Sequence, residues 1–230
     1  MTNPNEPVLN IHRVFVSGGT GYIGRPLIRE LLRRGHSVRA LVRPSSTNKL
    51  PAGTEEVRGD ALNATSFAAL IPPADTLVHL VGTSHPNPLK ARQFLEVDLA
   101  SIHASVTAAK DAGVRHLIYV SVAHPAPVMK AFITARQAGE ALIVNSGLSA
   151  TILRPWYVLG PAHWWPYLLV PFYQVLETLP WSREPARRLG LVKLEQMIAA
   201  LVLAIEGQVQ GVKIVEVPEI RNSRLTISPP

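Results

Sequence analysis

The sequence predicts an α/β fold: a doubly wound parallel sheet of about seven strands with a small C-terminal lobe. Two observations predict it. Short β-branched runs alternate along the chain with longer segments whose apolar residues recur three and four apart. The first such run, Val14-Phe15-Val16, ends in Ser17-Gly18-Gly19-Thr20-Gly21-Tyr22-Ile23-Gly24, and a helical pattern begins at once. Strand–helix alternation of this kind builds right-handed βαβ units, whose helices cover both faces of one parallel sheet.

The elements follow in order. Arg13–Ser17 is the first strand. Tyr22–Arg34 is a helix with Ile23, Leu27, Leu31 and Leu32 on one face and Gly35 past its end. Ser37–Val42 and Glu55–Arg58 are the second and third strands, and Thr65–Leu70 is a short helix. Thr76–Val81 is the fourth strand. Leu89–Ala112 is a long helix stopped by Gly113, and His116–Ser121 is the fifth strand. Pro127–Ser146 is a helix stopped by Gly147. Ala150–Leu153 is the sixth strand and Lys213–Val217 the last. Arg187–Gly207 has helical spacing, with Met197, Leu201 and Ile205 on one face. Residues 1–12 read as a flexible N-terminal tail and 13–230 as one domain, to which 156–207 adds a lobe on the substrate side.

Composition narrows the function. The absence of cysteine excludes disulfides, thiolate metal sites and cysteine nucleophiles, and it matches a reducing cytoplasm. A net charge of +7 suits anionic ligands. The arginines are scattered, with no dense basic run or helix-turn-helix, so nucleic acid is not the expected partner. Met1–Asn10 lacks the pattern of a signal peptide, and no window approaches the ~18 apolar residues of a membrane span. No His-Glu-x-x-His or Gly-x-Ser-x-Gly occurs, so neither a metal site nor a serine hydrolase is expected.

The glycines at every third position carry specific chemistry. Gly18 permits the tight turn out of the strand. Gly21 lets the backbone approach a pyrophosphate, and Gly24 lets the helix pack on the sheet. Thr20, Tyr22 and Ile23 complete the turn, with Tyr22 beside the phosphates and the helix N-terminus offering free N–H groups. The fold is therefore Rossmann-type and the ligand a dinucleotide. NAD-selective sites place Asp or Glu about twenty residues further on. No acidic residue lies between Leu31 and Gly53; the second strand ends instead in Val42-Arg43-Pro44-Ser45-Ser46, with Lys49 nearby. Arg43 can form a charge-assisted fork with a 2′-phosphate and the serines can donate to it, which favours NADP(H) over NAD(H).

Together with Gly59-Asp60-Ala61, Val78-His79-Leu80-Val81-Gly82, Tyr119-Val120-Ser121 and Thr151-Ile152-Leu153-Arg154-Pro155, these residues carry a resemblance over nearly the whole chain. The chain resembles the atypical short-chain dehydrogenase/reductases, in their NmrA-like, nucleoside-diphosphate-sugar-epimerase-type branch. The resemblance implies that Asp60 caps the adenine amino group beside Ala61, and that Val81 and Gly82 line the adenine ribose. It puts Val120 and Ser121 under the nicotinamide ribose and Pro155 near the carboxamide.

It also implies a Ser or Thr, a Tyr, and a Lys four residues after the Tyr; the Tyr hydroxyl passes the proton and the Lys lowers its pKa. The matching helix positions hold Phe132 and Arg136. Phe132 has no ionisable group. Arg136 stays protonated and can bind a ribose or phosphate, but it does not repeat lysine chemistry. Ser121 matches the serine position, or Val122 does. Tyr157, after Arg154-Pro155, is a possible substitute proton donor. His79, His85, His124 and His163 are expected to pack or to sit at the surface.

All four tryptophans, Trp156, Trp164, Trp165 and Trp181, lie within 156–181 among Tyr157, Tyr167, Phe172 and Tyr173. This segment reads as an apolar lid or pocket for a flat or hydrophobic ligand, as core packing of a small lobe, or as a patch for a membrane surface or a protein partner. Two function classes stay open. One is an NADP(H)-dependent oxidoreductase, or an epimerase- or dehydratase-like enzyme, on a small apolar or carbonyl substrate. The other is a non-catalytic NADP(H)-binding redox sensor or assembly protein.

Overall fold

Residues 11–46, 50–83, 86–161, 188–207 and 209–225 are described by a computed structural model. The main sheet contains β1 (Arg13–Ser17), β2 (Ser37–Val42), β3 (Glu55–Arg58), β4 (Thr76–His79), β5 (His116–Val120), β6 (Ala150–Arg154) and β9 (Val212–Glu216). Its helices are α1 (Gly24–Arg33), α2 (Ala100–Asp111), α3 (Lys130–Ser146), α4 (Leu194–Glu206) and α5 (Val217–Asn222). The strand order is β3-β2-β1-β4-β5-β6-β9, and every neighbouring pair is parallel. The expected seven-stranded, doubly wound α/β sheet is what the chain forms.

Alternation along each strand feeds two cores. Val14 and Val16 of β1, Val78 of β4, Ile118 of β5 and Leu153 of β6 face Leu27, Ile28 and Leu31 of α1 and Met197, Leu201 and Ile205 of α4. Their neighbours Phe15, Leu77, Leu117 and Ile152 face Phe67 and Ile71 on one side of the opposite layer and Ile102, Ala109 and Ile143 on the other. Both faces are thus buried, as a parallel sheet requires.

Four expectations need correction. The helix expected over Leu89–Ala112 is not continuous: Pro88–Lys90 is a 3-10 turn, Ala91–Gln93 one α-turn, and Phe94–Leu99 π-helical before α2. The π-helical stretch carries Phe94 and Asp98 into the interior, and such segments cluster at functional positions. The helix expected from Pro127 begins at Lys130, because Met129 adopts a left-handed conformation, φ 58°. Within Arg187–Gly207, Leu191–Lys193 is a strand (β8) paired in parallel with β7 (Tyr157–Leu159) before α4 begins. Finally, the last strand, expected over Lys213–Val217, is Val212–Glu216, and Val217 opens α5, with Pro218 in its first turn, where the missing N–H costs nothing.

Residues 1–10 of the expected tail, most of the aromatic segment (162–187), Lys49, His85 and His163 lie outside the described residues, whereas His12, expected in the tail, exchanges hydrogen bonds with His36 and Ser37. No helix among the described residues is long and apolar enough to cross a membrane.

Buried histidines make the fold acid-sensitive. His79 is fully buried; Ser17 and Ser105 meet its Nδ1 at 3.1 and 2.9 Å, and Ser101 meets Nε2 at 3.3 Å. Burial, then the Arg136 charge, pushes its pKa down to about 3. Burial, then His12, pushes His116 down to about 4. Above about pH 6.5 both rings are neutral in the folded and unfolded chain alike. Below it, the unfolded chain takes up protons that the fold refuses, so stability is lost from about pH 6.5 down towards the folded values. These two residues together should remove about 3 kcal/mol between about pH 6.5 and pH 5. Urea midpoints at the two pH values check this; an unchanged midpoint contradicts the neutral-histidine assignment.

Candidate functional site

The crossovers leave the sheet in opposite directions between β1 and β4, and ligands of doubly wound folds bind outside the strand ends at that switch point. Here β1 ends at Ser17 and the chain turns through Gly18, whose φ is +83°. A Cβ on Gly18 would lie 2.7 Å from the Leu80 carbonyl carbon, so a side chain there would drive β1 from the β4 exit. A Cβ on Gly24 would lie 2.3 Å from the Gly18 carbonyl oxygen; the helix start is packed onto the turn. Gly21 differs, because among the described residues a Cβ there would meet only the Gly18 oxygen, at 3.2 Å. The Arg25 amide donates to the Gly21 carbonyl. The Tyr22 and Ile23 amides lie ahead of that bond, in residues that line a cavity.

Two cavities, about 360 and 340 Å³, meet at Gly18, Gly21, Leu80 and Gly82. The first continues along Tyr22, Ile23, Gly24, Val120, Ser121, Phe132, Arg136, Pro155, Trp156 and Tyr157. The second continues along Thr20, Arg43, Ser46, Asp60, Ala61 and Val81. The structure therefore gathers the sequence-derived candidates around one elongated cleft, Ser45 excepted. Ser45 lines neither cavity: the Ser46 amide donates to the Arg43 carbonyl at 2.9 Å, and this turn returns residue 46 beside Arg43.

Arg43 is exposed and forms no ion pair among the described residues. Arg58, which sequence reasoning passed over, holds its loop. The Arg58 guanidinium donates to the carbonyls of Arg43, Pro44 and Ser46 at 3.0–3.2 Å. The signal was parallel pairing of β2 and β3, which sets Arg58 beside Val42, next to that loop. Asp60 accepts the Leu62 amide at 3.0 Å, and Ser66 accepts the Asp60 amide at 2.9 Å.

At the other end Phe132 and Arg136 sit one turn apart on α3, with the guanidinium carbon 5.1 Å from the Phe132 ring centre. Arg136 lines the cavity but is buried and committed. Nη2 donates to Asp98 at 2.6 Å and Nη1 to the Val120 carbonyl at 2.9 Å. Asp98 was also missed. Its signal was a carboxylate four residues from Phe94 and from Ile102, on the face those residues bury.

Ser121 is buried too, and its hydroxyl donates to Glu140 at 2.5 Å. Arg154 forks onto both Glu140 oxygens and donates to Glu216 at 2.9 Å. These hydrogen bonds, the one to Glu140 foremost, hold the Arg154 pKa above its ordinary value. His124 stands 3.6 Å from Glu140. His79 lies in the interior, neutral. The Tyr119 phenol is pushed up by burial, so it also stays neutral. Among the described residues no group of His, Asp and Glu could hold a metal.

The relatives agree with this geometry. A family model described as NAD(P)H-binding matches residues 18–161. The chain is 27% identical over 215 residues to a ceramide reductase of Caulobacter vibrioides, which covers 93% of this chain and 66% of that protein. It is 26% identical over 170 residues to a 4-hydroxy-2-methyl-3-oxo-4-farnesyl-3,4-dihydroquinoline-1-oxide ketoreductase of Stigmatella aurantiaca, covering 64% and 51% of the two. The chain thus spans about one half to two thirds of these relatives' lengths. Among solved structures, the Bordetella bronchiseptica enzyme WbmH in complex with NAD+ matches with a TM-score of 0.67 at 22% identity, over 90% of this chain and 75% of that one. The glycine turn, the strand order and the family match converge: this chain belongs to the NAD(P)H-binding family.

Proposed function

We propose that this protein is an NADP(H)-dependent oxidoreductase acting on a small apolar or carbonyl substrate without the usual Tyr/Lys pair. One observation carries the reading. The two cavities join at the glycine turn, one reaching the exposed Arg43 and the other an uncharged wall of Phe132, Trp156 and Tyr157. The open space beside Gly21 fits a diphosphate held by backbone amides. When bound, the cofactor supplies or accepts a hydride.

In this reading the amides of Tyr22 and Ile23, where α1 begins, hold the diphosphate, and Arg43 with Ser46 holds the 2′-phosphate. Asp60 and Ala61 receive the adenine, while Val81 and Gly82 border its ribose. Val120, Ser121, Arg136 and Pro155 border the nicotinamide riboside. The Ser121 hydroxyl is engaged by Glu140, so it is not the group that meets the substrate. Tyr157, a residue of the cavity wall, is the proton carrier in this reading. The uncharged aromatic wall suits a flat apolar substrate, and the ketoreductase relative, named for a farnesylated quinoline oxide, supports that class.

A second reading, a non-catalytic NADP(H) sensor or assembly protein, is favoured by Phe132 itself, which puts a phenyl ring where a proton donor is expected. Thermal-shift titration with NADPH and NADH tests binding, since a ligand of the folded state raises the melting temperature. Arg43→Ala should weaken NADPH binding by about 1–3 kcal/mol and NADH binding little, because only NADPH loses a charge-assisted bond. Equal losses would remove the NADP(H) preference. NADPH oxidation with 9,10-phenanthrenequinone then separates the readings: turnover supports the oxidoreductase, and binding without turnover supports the sensor.

A further inference from the structure

We propose that Asp98 sets the relative affinity of the site for the oxidised and reduced cofactor, by neutralising Arg136 at the nicotinamide end of the cleft. The inference rests on the cofactor reading above and adds a determinant of redox-state selectivity to it.

The observations are geometric. The Asp98 carboxylate is wholly buried and the Arg136 side chain is 9% exposed. One Asp98 oxygen accepts from Arg136 Nη2 at 2.6 Å; the other accepts the Thr83 amide at 3.0 Å and the Thr83 hydroxyl at 2.6 Å. The pair lies directly beneath Gly82, one of the four residues common to both cavities. A Cβ on Gly82 would stand 2.3 Å from Arg136 Nη2 and 3.0 Å from Asp98 Oδ1. Only a glycine lets the guanidinium come this close to the cleft floor, and Arg136 itself lines the first cavity.

Among the described residues, the other neighbouring groups do not balance this charge. His79 is held neutral, and burial keeps the Tyr119 phenol protonated. Glu140, one turn further along α3, is taken by the Arg154 fork. Asp98 is therefore the counter-charge of Arg136.

The two cofactor forms differ by one positive charge on the nicotinamide ring. An unbalanced buried guanidinium repels the oxidised ring and leaves the reduced ring unaffected. A closely paired guanidinium and carboxylate present little net field to either. At separations of several ångströms in a partly buried site, one uncompensated charge changes the relative affinity by about 10-fold or more.

The test is the ratio of dissociation constants for NADP+ and NADPH, with NADPH read by its fluorescence and NADP+ by displacement. Asp98→Asn keeps an acceptor for Thr83 and unbalances Arg136, so the ratio should rise about 10-fold. Arg136→Gln unbalances Asp98 instead, so the ratio should fall. The double variant Asp98→Asn/Arg136→Gln restores neutrality and should return to the wild-type ratio. That variant decides the matter if the single variants do not fold: a ratio displaced about 10-fold in it overturns the inference. A purely structural role lowers both affinities together, and single variants with an unchanged ratio, or with shifts in the same direction, also overturn it. Wild-type protein that binds neither form overturns the cofactor reading as well, so the two failures are distinguishable.

Discussion

Replacing Gly21 by valine is expected to weaken NADPH binding by about 100-fold or more, the scale of one or two charge-assisted hydrogen bonds. The fold should keep its stability. The contrast with neighbouring glycines makes the substitution informative. At Gly18 a side chain meets the β4 exit backbone at 2.7 Å and requires a positive φ; at Gly24 it meets the Gly18 carbonyl at 2.3 Å. Valine at either position damages the turn itself. At Gly21 the only neighbour of a Cβ among the described residues is one carbonyl oxygen at 3.2 Å, and the residue borders both cavities. The branched side chain then occupies the space through which the backbone reaches the diphosphate. Calorimetric affinity and melting temperature, measured on the same sample, check both halves of the prediction. Binding at wild-type strength would show that the diphosphate does not rest on this turn.

Arg154→Met is the largest expected loss of stability. Arg154 leaves β6 and ties Glu140 of α3 to Glu216 at the end of β9, so one guanidinium joins three elements. Methionine fills similar volume but leaves the Glu140 carboxylate buried with only the Ser121 hydroxyl bonded to it and His124 3.6 Å away. Breaking a buried ion pair by removing one partner costs about 3–5 kcal/mol. For a chain of this size that lowers the melting temperature by about 10 °C. Arg154→Met/Glu140→Gln removes the stranded charge and should recover part of the loss. If the single variant melts within about 2 °C of wild type, below the shift of 1 kcal/mol, the buried network contributes little to the fold.

Much of this architecture was legible in the residues. The strands of a parallel sheet are buried on both faces, so Val14-Phe15-Val16 and Leu117-Ile118-Tyr119 read as unbroken apolar runs. The glycine spacing fixed where the cleft opens because each glycine answers a local steric demand. Other features depended on tertiary packing. Phe94–Leu99 has helical spacing, and its π-helical turn is visible only once Asp98 meets Arg136. Leu191–Lys193 is three residues long and continuous with the pattern of α4, so its pairing with Tyr157–Leu159 left no mark of its own. Arg58 drew no functional reading from the sequence, because only the register of β2 and β3 sets it under the Arg43 loop. The commitment of Ser121 to Glu140 was equally hidden, since a hydroxyl carries no record of where its proton points.

The most direct test of the account is isothermal titration calorimetry of the full chain with NADPH and, separately, with NADH. The account predicts one site per chain, tighter for NADPH, with binding lost in Gly21→Val and the NADPH advantage lost in Arg43→Ala. Absence of a saturable heat for either dinucleotide with folded wild-type protein would contradict it.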